Sequence, residues 1–88
     1  MIDFDEICNK IANKYNRILP KSGEIYKHFK GHIITVKDIA IDTESLQPVV
    51  IYEHNNQLWS RPLEMFLSTV NKTKYPDVKA TYRFEKLN

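Results

Sequence analysis

From Asp3 to Leu19 the apolar residues fall at helical spacing. Phe4, Ile7, Cys8, Ile11, Tyr15, Ile18 and Leu19 form one stripe. Asp3 followed by Glu6 is a capping-box start with Asp in place of Ser or Thr. The acids lie in the first turn, and Lys10, Lys14 and Arg17 come later, as the helix dipole favours. The pattern predicts a helix over residues 3–19, stopped by Pro20 and followed by a turn at Lys21-Ser22-Gly23.

From Glu24 onward the period becomes that of strands. Ile34 and Val36 alternate in one phase, and Ile39 and Ile41 in the other. The phase change at Lys37-Asp38 predicts a β-bulge or a sharp bend. Asp42 to Ser45 is a polar turn. Pro48 to Glu53 is apolar on both faces and reads as an inner strand. Asn55-Asn56-Gln57 is a tight turn into a short strand at Leu58 to Ser60. Pro62 suits the start of a helix, and Leu63, Phe66, Leu67 and Val70 repeat at helical spacing, so a short helical turn follows. Asn71 to Val78 is a polar loop turning at Tyr75-Pro76-Asp77. Ala80, Tyr82 and Phe84 then alternate with Thr81, Arg83 and Glu85 as a closing strand.

Short, bent strands with tight turns point to a small β-barrel, since closure removes bare strand edges. The fold class expected is α+β, with the N-terminal amphipathic helix (residues 1–20) packed on a barrel formed by residues 23–87. With 88 residues, one domain spanning 1–88 is expected.

Composition narrows the function classes. The hydrophobic fraction of 42% and charged fraction of 27% are those of a folded globule. Cys8 is the one cysteine, so no internal disulfide forms. The N-terminus is acidic, unlike a secretion signal, and the longest apolar run, Val49 to Tyr52, is too short to cross a bilayer. A cytoplasmic protein with no membrane partner is expected. The net charge of +2 hides a pattern. Residues 21–37 carry four lysines against Glu24, and residues 71–88 carry five bases against Asp77 and Glu85. Between them, residues 38–56 carry Asp38, Asp42, Glu44 and Glu53 with no base. Pairing of the two basic stretches would give a positive face.

Three stretches stand out in order. They are Gly23 to Gly31 with His28-Phe29-Lys30-Gly31, then Thr43-Glu44 followed by Val50-Ile51-Tyr52, then Trp59-Ser60-Arg61-Pro62 with Met65-Phe66. Together they resemble a bacterial family known as domain of unknown function 1653, over residues 23–70 and the closing Arg83-Phe84. The chain departs from the family pattern at Asp42, where a histidine is usual, at Ile34, where an aromatic is common, and in a shorter loop before Trp59. The resemblance implies a small SH3-like β-domain and no particular chemistry.

The chemistry-bearing residues are few. The inventory of metal ligands is thin, His28, His32, His54, Cys8 and scattered acids, and strand signals around Gly31 deny His28 and His32 a shared helical face. Cys8 lies on the helix's apolar stripe as a small hydrophobe. No glycine-rich phosphate loop or nucleophile elbow is present. No cofactor or metal is expected, and catalysis is disfavoured. Groups with a polar handle remain. Tyr26, His28 and Lys30 alternate, as do Trp59 and Arg61, so each set shares a strand face. An Arg beside a Trp holds a planar or anionic group by stacking and forked hydrogen bonds. The alternatives are that Trp59 plugs the barrel, that Tyr26 and Phe29 are core, and that Arg61 pairs with Glu44 or Glu64.

Three functions compete. The first is a non-catalytic binding module for a polar or anionic partner, nucleic acid or a nucleotide-like ligand, through Tyr26, His28, Lys30, Thr43, Glu44, Trp59 and Arg61, helped by Lys72, Lys74 and Lys79. The second is a protein-interaction module docking through the N-terminal helix or a strand edge. The third is an enzyme, or an accessory to one, acting on a nucleotide-like substrate through Asp42, Glu44 and Arg61. The first is the preferred expectation.

Overall fold

The computed structural model describes residues 3–88. Helix α1 spans Phe4–Lys14, and Asp3 caps it by accepting the Glu6 N–H at 3.1 Å. It ends well before Pro20, the breaker that the sequence offers. Asn16 takes a left-handed φ of 54°, its N–H bonds the Asn13 carbonyl, and the Arg17 N–H bonds the Ala12 carbonyl. This pair of bonds is a Schellman motif with Asn in the left-handed position. Ile18, expected on the buried stripe, is therefore beyond the helix and 83% exposed. Cys8 and Ala12 carry the buried face, packed toward α2 and β3. Burial pushes the Cys8 thiol pKa up, which fits a hydrophobe rather than a nucleophile.

Five antiparallel strands follow: β1 (Ile25–His28), β2 (Ile33–Ile41), β3 (Pro48–His54), β4 (Gln57–Pro62) and β5 (Phe84–Lys86). Their order is β4-β3-β2-β1-β5. The bulge expected at Lys37-Asp38 is present, because the β2–β3 register slips between Val36 and Asp38. The inner position of β3 is as expected. Asn55 and Asn56 both have positive φ, 54° and 62°, which makes the β3–β4 connection a type I′ turn. The β1–β2 hairpin turns through Phe29-Lys30-Gly31. Gly31 stands at φ 104° with open space around it, so a side chain there would meet strain rather than a clash.

The expected closed barrel does not form. The sheet is open, with β4 and β5 as its two edges. Two features prevent a closing ladder. The chain leaves β4 at Pro62, which has no N–H to donate, and passes directly into α2 (Leu63–Leu67). The terminal strand is also only three residues long, and Tyr82 makes just an isolated bridge to Thr69. The sheet nonetheless curls, since the Arg61 guanidinium on β4 lies 5.4 Å from the ring centroid of Phe84 on β5.

The core fills one end of the concave face. Leu63, Phe66 and Leu67 of α2 meet Val36 and Val50 with no measurable exposure. Phe66 stacks on Phe84 at 4.4 Å and meets Tyr26 edge-on at 5.2 Å. Arg17 ties the tail of α1 to this centre. Its guanidinium donates to the Phe84 carbonyl at 2.8 Å and the Leu67 carbonyl at 3.3 Å, and lies 4.2 Å from the Tyr82 ring. Bonds from a charged donor to part-buried acceptors are worth roughly 1.5–3 kcal/mol, less the cost of burying the charge. An Arg17→Met variant keeps the apolar stem and is expected to lose about 2 kcal/mol of stability. Urea unfolding checks this, and an unchanged midpoint would mean that the two bonds contribute nothing net.

Candidate functional site

The other end of the concave face is an open cleft of about 640 Å³. That volume is in the range of small-molecule sites. Ladder register explains its assembly. Phe84 on β5 lies opposite His28 on β1, and Trp59 on β4 lies opposite Tyr52 on β3. Directly opposed residues point to the same face. Ile34, Tyr52 and Phe84 belong to both the core and the cleft floor. The β1–β2 turn and the loop from Asn71 to Arg83 build one wall, and β4 builds the other.

His28 and His32 face each other across the β1–β2 turn, where the His28 N–H bonds the His32 carbonyl at 2.7 Å. Their ring centroids are 5.6 Å apart, and His54 lies 5.2 Å beyond His32. Even so, no group of three His, Cys, Asp or Glu among the described residues is arranged to hold a metal ion. The Nδ1 of His28 accepts the Lys30 N–H at 3.1 Å. Its neutral ring therefore carries the proton on Nε2. The His54 Nδ1 takes the Ile33 carbonyl as partner at 3.2 Å.

Burial first, and then the charges of Arg61, His32, Lys30 and Arg83, push the His28 pKa down to about 4. In the unfolded chain the ring titrates near the ordinary value of about 6.5. Between these values the unfolded state binds more protons, so stability rises with pH. The contribution is fully present above about pH 6.5 and is lost as pH falls toward 4. Allowing for solvent reaching the half-buried ring, the loss expected is about 1–2 kcal/mol. Unfolding free energies measured from pH 7 to pH 4 should show this slope in the parent, and a His28→Phe variant should flatten it.

Charge in the cleft is one-sided. Lys30, Arg61, Lys74 and Arg83 line it together with the three histidines, and no Asp or Glu does. Four lysines outside the cleft are paired, Lys10 with Glu6, Lys14 with Glu64, Lys37 with Glu53 and Lys86 with Glu24, while Lys21, Lys27, Lys72 and Lys79 show no ion pair among the described residues. None of the four cleft cations appears in an ion pair among the described residues. The Nε of Arg83 is buried with no hydrogen-bond partner. An orphaned donor of this kind costs roughly 1–3 kcal/mol, more when charged.

The sequence-derived site residues divide. His28, Lys30, Trp59 and Arg61 meet in the cleft, and Phe29 joins them half-buried on its wall. Trp59 is no plug, because it is 49% exposed. Arg61 takes neither Glu44 nor Glu64 as a partner, and Glu64 binds Lys14 and the Tyr15 hydroxyl instead. Tyr26 is core. It is 3% exposed, and its hydroxyl donates to Glu24 at 3.1 Å. Thr43 and Glu44 lie in the β2–β3 turn at the opposite end of the strands, outside the cleft lining. There Asp42 accepts the Glu44 N–H at 2.8 Å, so the acids form a self-contained turn away from Arg61. Lys72 is spent on the Val78 and Ala80 carbonyls, which pins the loop, and Lys79 does not line the cleft. Tyr75 and Arg83 join the site unforeseen. The faint signal was Arg83-Phe84 in strand alternation, whose face only the pairing with β1 reveals.

These features define a small α+β domain whose open antiparallel sheet carries a basic, aromatic-lined cleft. The chain matches, over residues 24–86, the family described as "Protein of unknown function (DUF1653)". It belongs to that family. No curated protein and no solved structure matches the chain. No helix among the described residues is long and apolar enough to cross a membrane.

Proposed function

We propose that this protein is a non-catalytic binding module for an anionic partner, a nucleic acid or a nucleotide-like ligand, and that the cleft receives it. One observation carries the reading: four Lys and Arg side chains, unpaired among the described residues, and three histidines line the cleft without a single carboxylate. Such an arrangement repels itself and draws in negative charge. Aromatic rings beside cations suit bases and phosphates in flexible strands. The reading takes the sheet as an SH3-like barrel left open between β4 and β5, with the opening as the ligand entrance.

The test is an amide NMR titration with mononucleotides, a short single-stranded RNA and duplex DNA, at low and moderate salt. Saturable shifts at His28, Lys30, Trp59 and Arg61 that weaken with salt are expected. Binding indifferent to salt, or shifts scattered over every surface lysine, would defeat the proposal.

A protein-interaction role has a narrower basis. The apolar face of α1 is already used against α2 and β3. What favours this reading is β4, an open edge whose Leu58 is 65% exposed.

A further inference from the structure

The two walls of the cleft offer different chemistry. On one wall the aromatic faces are already engaged by cations. The Lys30 ammonium lies 5.3 Å from the Tyr75 centroid and 5.9 Å from that of Phe29. Lys74 lies 5.4 Å from Tyr75. Tyr75 and Phe29 meet edge-on at 5.1 Å. These rings act as a platform that gathers two ammonium groups. The Lys30 contact also pulls the Tyr75 phenol below its ordinary pKa. The orphaned Nε of Arg83 belongs to the segment that forms this wall.

On β4 the arrangement is reversed. The Trp59 indole N–H is spent on the His54 carbonyl at 3.2 Å, which fixes the ring across the type I′ turn. Among the described residues no cation lies over Trp59, whereas Phe29 and Phe84 each carry one and Tyr75 carries two. Trp59 is half exposed, while Tyr52 and Phe84 are buried. It therefore offers a fixed aromatic surface with no hydrogen-bond donor to spare. Arg61, two residues on and on the same face, stands beside it on the Phe84 ring.

We propose that the cleft binds a nucleoside phosphate unit in one orientation, with the base stacked on Trp59 and the phosphate at Lys30, Lys74 and Arg83. The proposal rests on the anion-binding reading and adds to it a planar half and a direction. The unit is either a free nucleotide or part of a single strand, since both present a base and a phosphate about one sugar apart.

The experiment titrates the folded protein with AMP, adenosine, inorganic pyrophosphate and a single-stranded hexa-adenylate, following amide shifts and Trp59 fluorescence. AMP or the hexamer is expected to bind at least about tenfold tighter than adenosine or pyrophosphate. Trp59→Leu should weaken AMP and hexamer binding about tenfold and leave pyrophosphate unchanged, since base–aromatic stacking is worth about that much. Lys30→Ala with Lys74→Ala should weaken all three phosphate ligands. The hexamer exceeding AMP supports a strand as the source of the unit, and the reverse supports a free nucleotide. Pyrophosphate binding as tightly as AMP, with Trp59→Leu silent, overturns the planar half while the anion reading stands. No cleft shift with any ligand overturns both. Each variant's amide spectrum verifies its fold.

Discussion

Phe66→Ala is expected to cost about 3–5 kcal/mol of stability, the range for emptying a buried phenylalanine site. A chain of this length holds roughly 4–13 kcal/mol in total, so the variant loses about a quarter of it or more. The melting temperature should fall by roughly 15 °C or more. Phe66 has no measurable exposure, stacks on Phe84 at 4.4 Å and meets Tyr26 edge-on. Its neighbours come from α2, β1 and β5, so no single element relaxes into the space left behind. Met65, the preceding residue on the same short helix, is 43% exposed. Met65→Ala is expected to change stability by about 0.5 kcal/mol or less, as surface substitutions do. The contrast separates packing from helix propensity, which favours alanine over both residues and more so over Phe. Urea unfolding followed by circular dichroism measures both. Equal costs for the two variants would contradict the burial of Phe66 beneath three elements.

Arg61→Ala is expected to leave the fold intact and to weaken binding of a short single-stranded RNA about tenfold to a hundredfold at low salt. The guanidinium makes no ion pair among the described residues and lies on the Phe84 ring within the cleft. A charge-assisted bond from Arg61 to a phosphate of the strand adjoining the one held at Lys30, Lys74 and Arg83 is worth about 1.5–3 kcal/mol, which sets that range. Losing one phosphate contact should also reduce the salt dependence, by about 0.7 in the slope of log K against log salt. A second readout needs no ligand. Arg61 is the largest charge holding down the His28 pKa, after burial itself. Its removal should move that pKa upward from about 4, as followed by the ring's NMR signals. A raised His28 pKa with unchanged RNA affinity would place Arg61 in the cleft but outside the binding event. An unmoved His28 pKa would mean that the Arg61 charge does not act on the His28 ring.

Local chemistry was legible along the chain. The Asp3 cap, the phase slip at Lys37-Asp38, the Asn55-Asn56 turn and the short helix after Pro62 each depend on residues within a few positions of one another. The helix end was not legible in the same way. Pro20 is an obvious breaker, but the left-handed Asn16 acts before the chain reaches it. Trp59 and Arg61 were legible as candidates because alternation puts them on one face, and so were His28 and Lys30.

What the tertiary structure decided was which of those faces is covered. Tyr26 and His28 share a face of β1, yet one is in the core beneath Phe66 and the other opens into the cleft. No pattern within Ile25–His28 distinguishes them, because the difference is where α2 lies. Thr43 and Glu44 fell away from the site because a strand carries its two ends apart, however close its motifs stand in the sequence. Arg83 and Tyr75 came into the site because β5 pairs with β1 across more than fifty residues of chain. The barrel stayed open for a comparable reason: short strands made closure reasonable, but the chain's exit at Pro62 and the brevity of β5 left no ladder to complete it. Nearest neighbours in sequence set turns, caps and bulges, because those are short-range hydrogen-bond and dihedral choices. Burial and site assembly depend on long-range register, which a single chain's pattern leaves open until the elements pack.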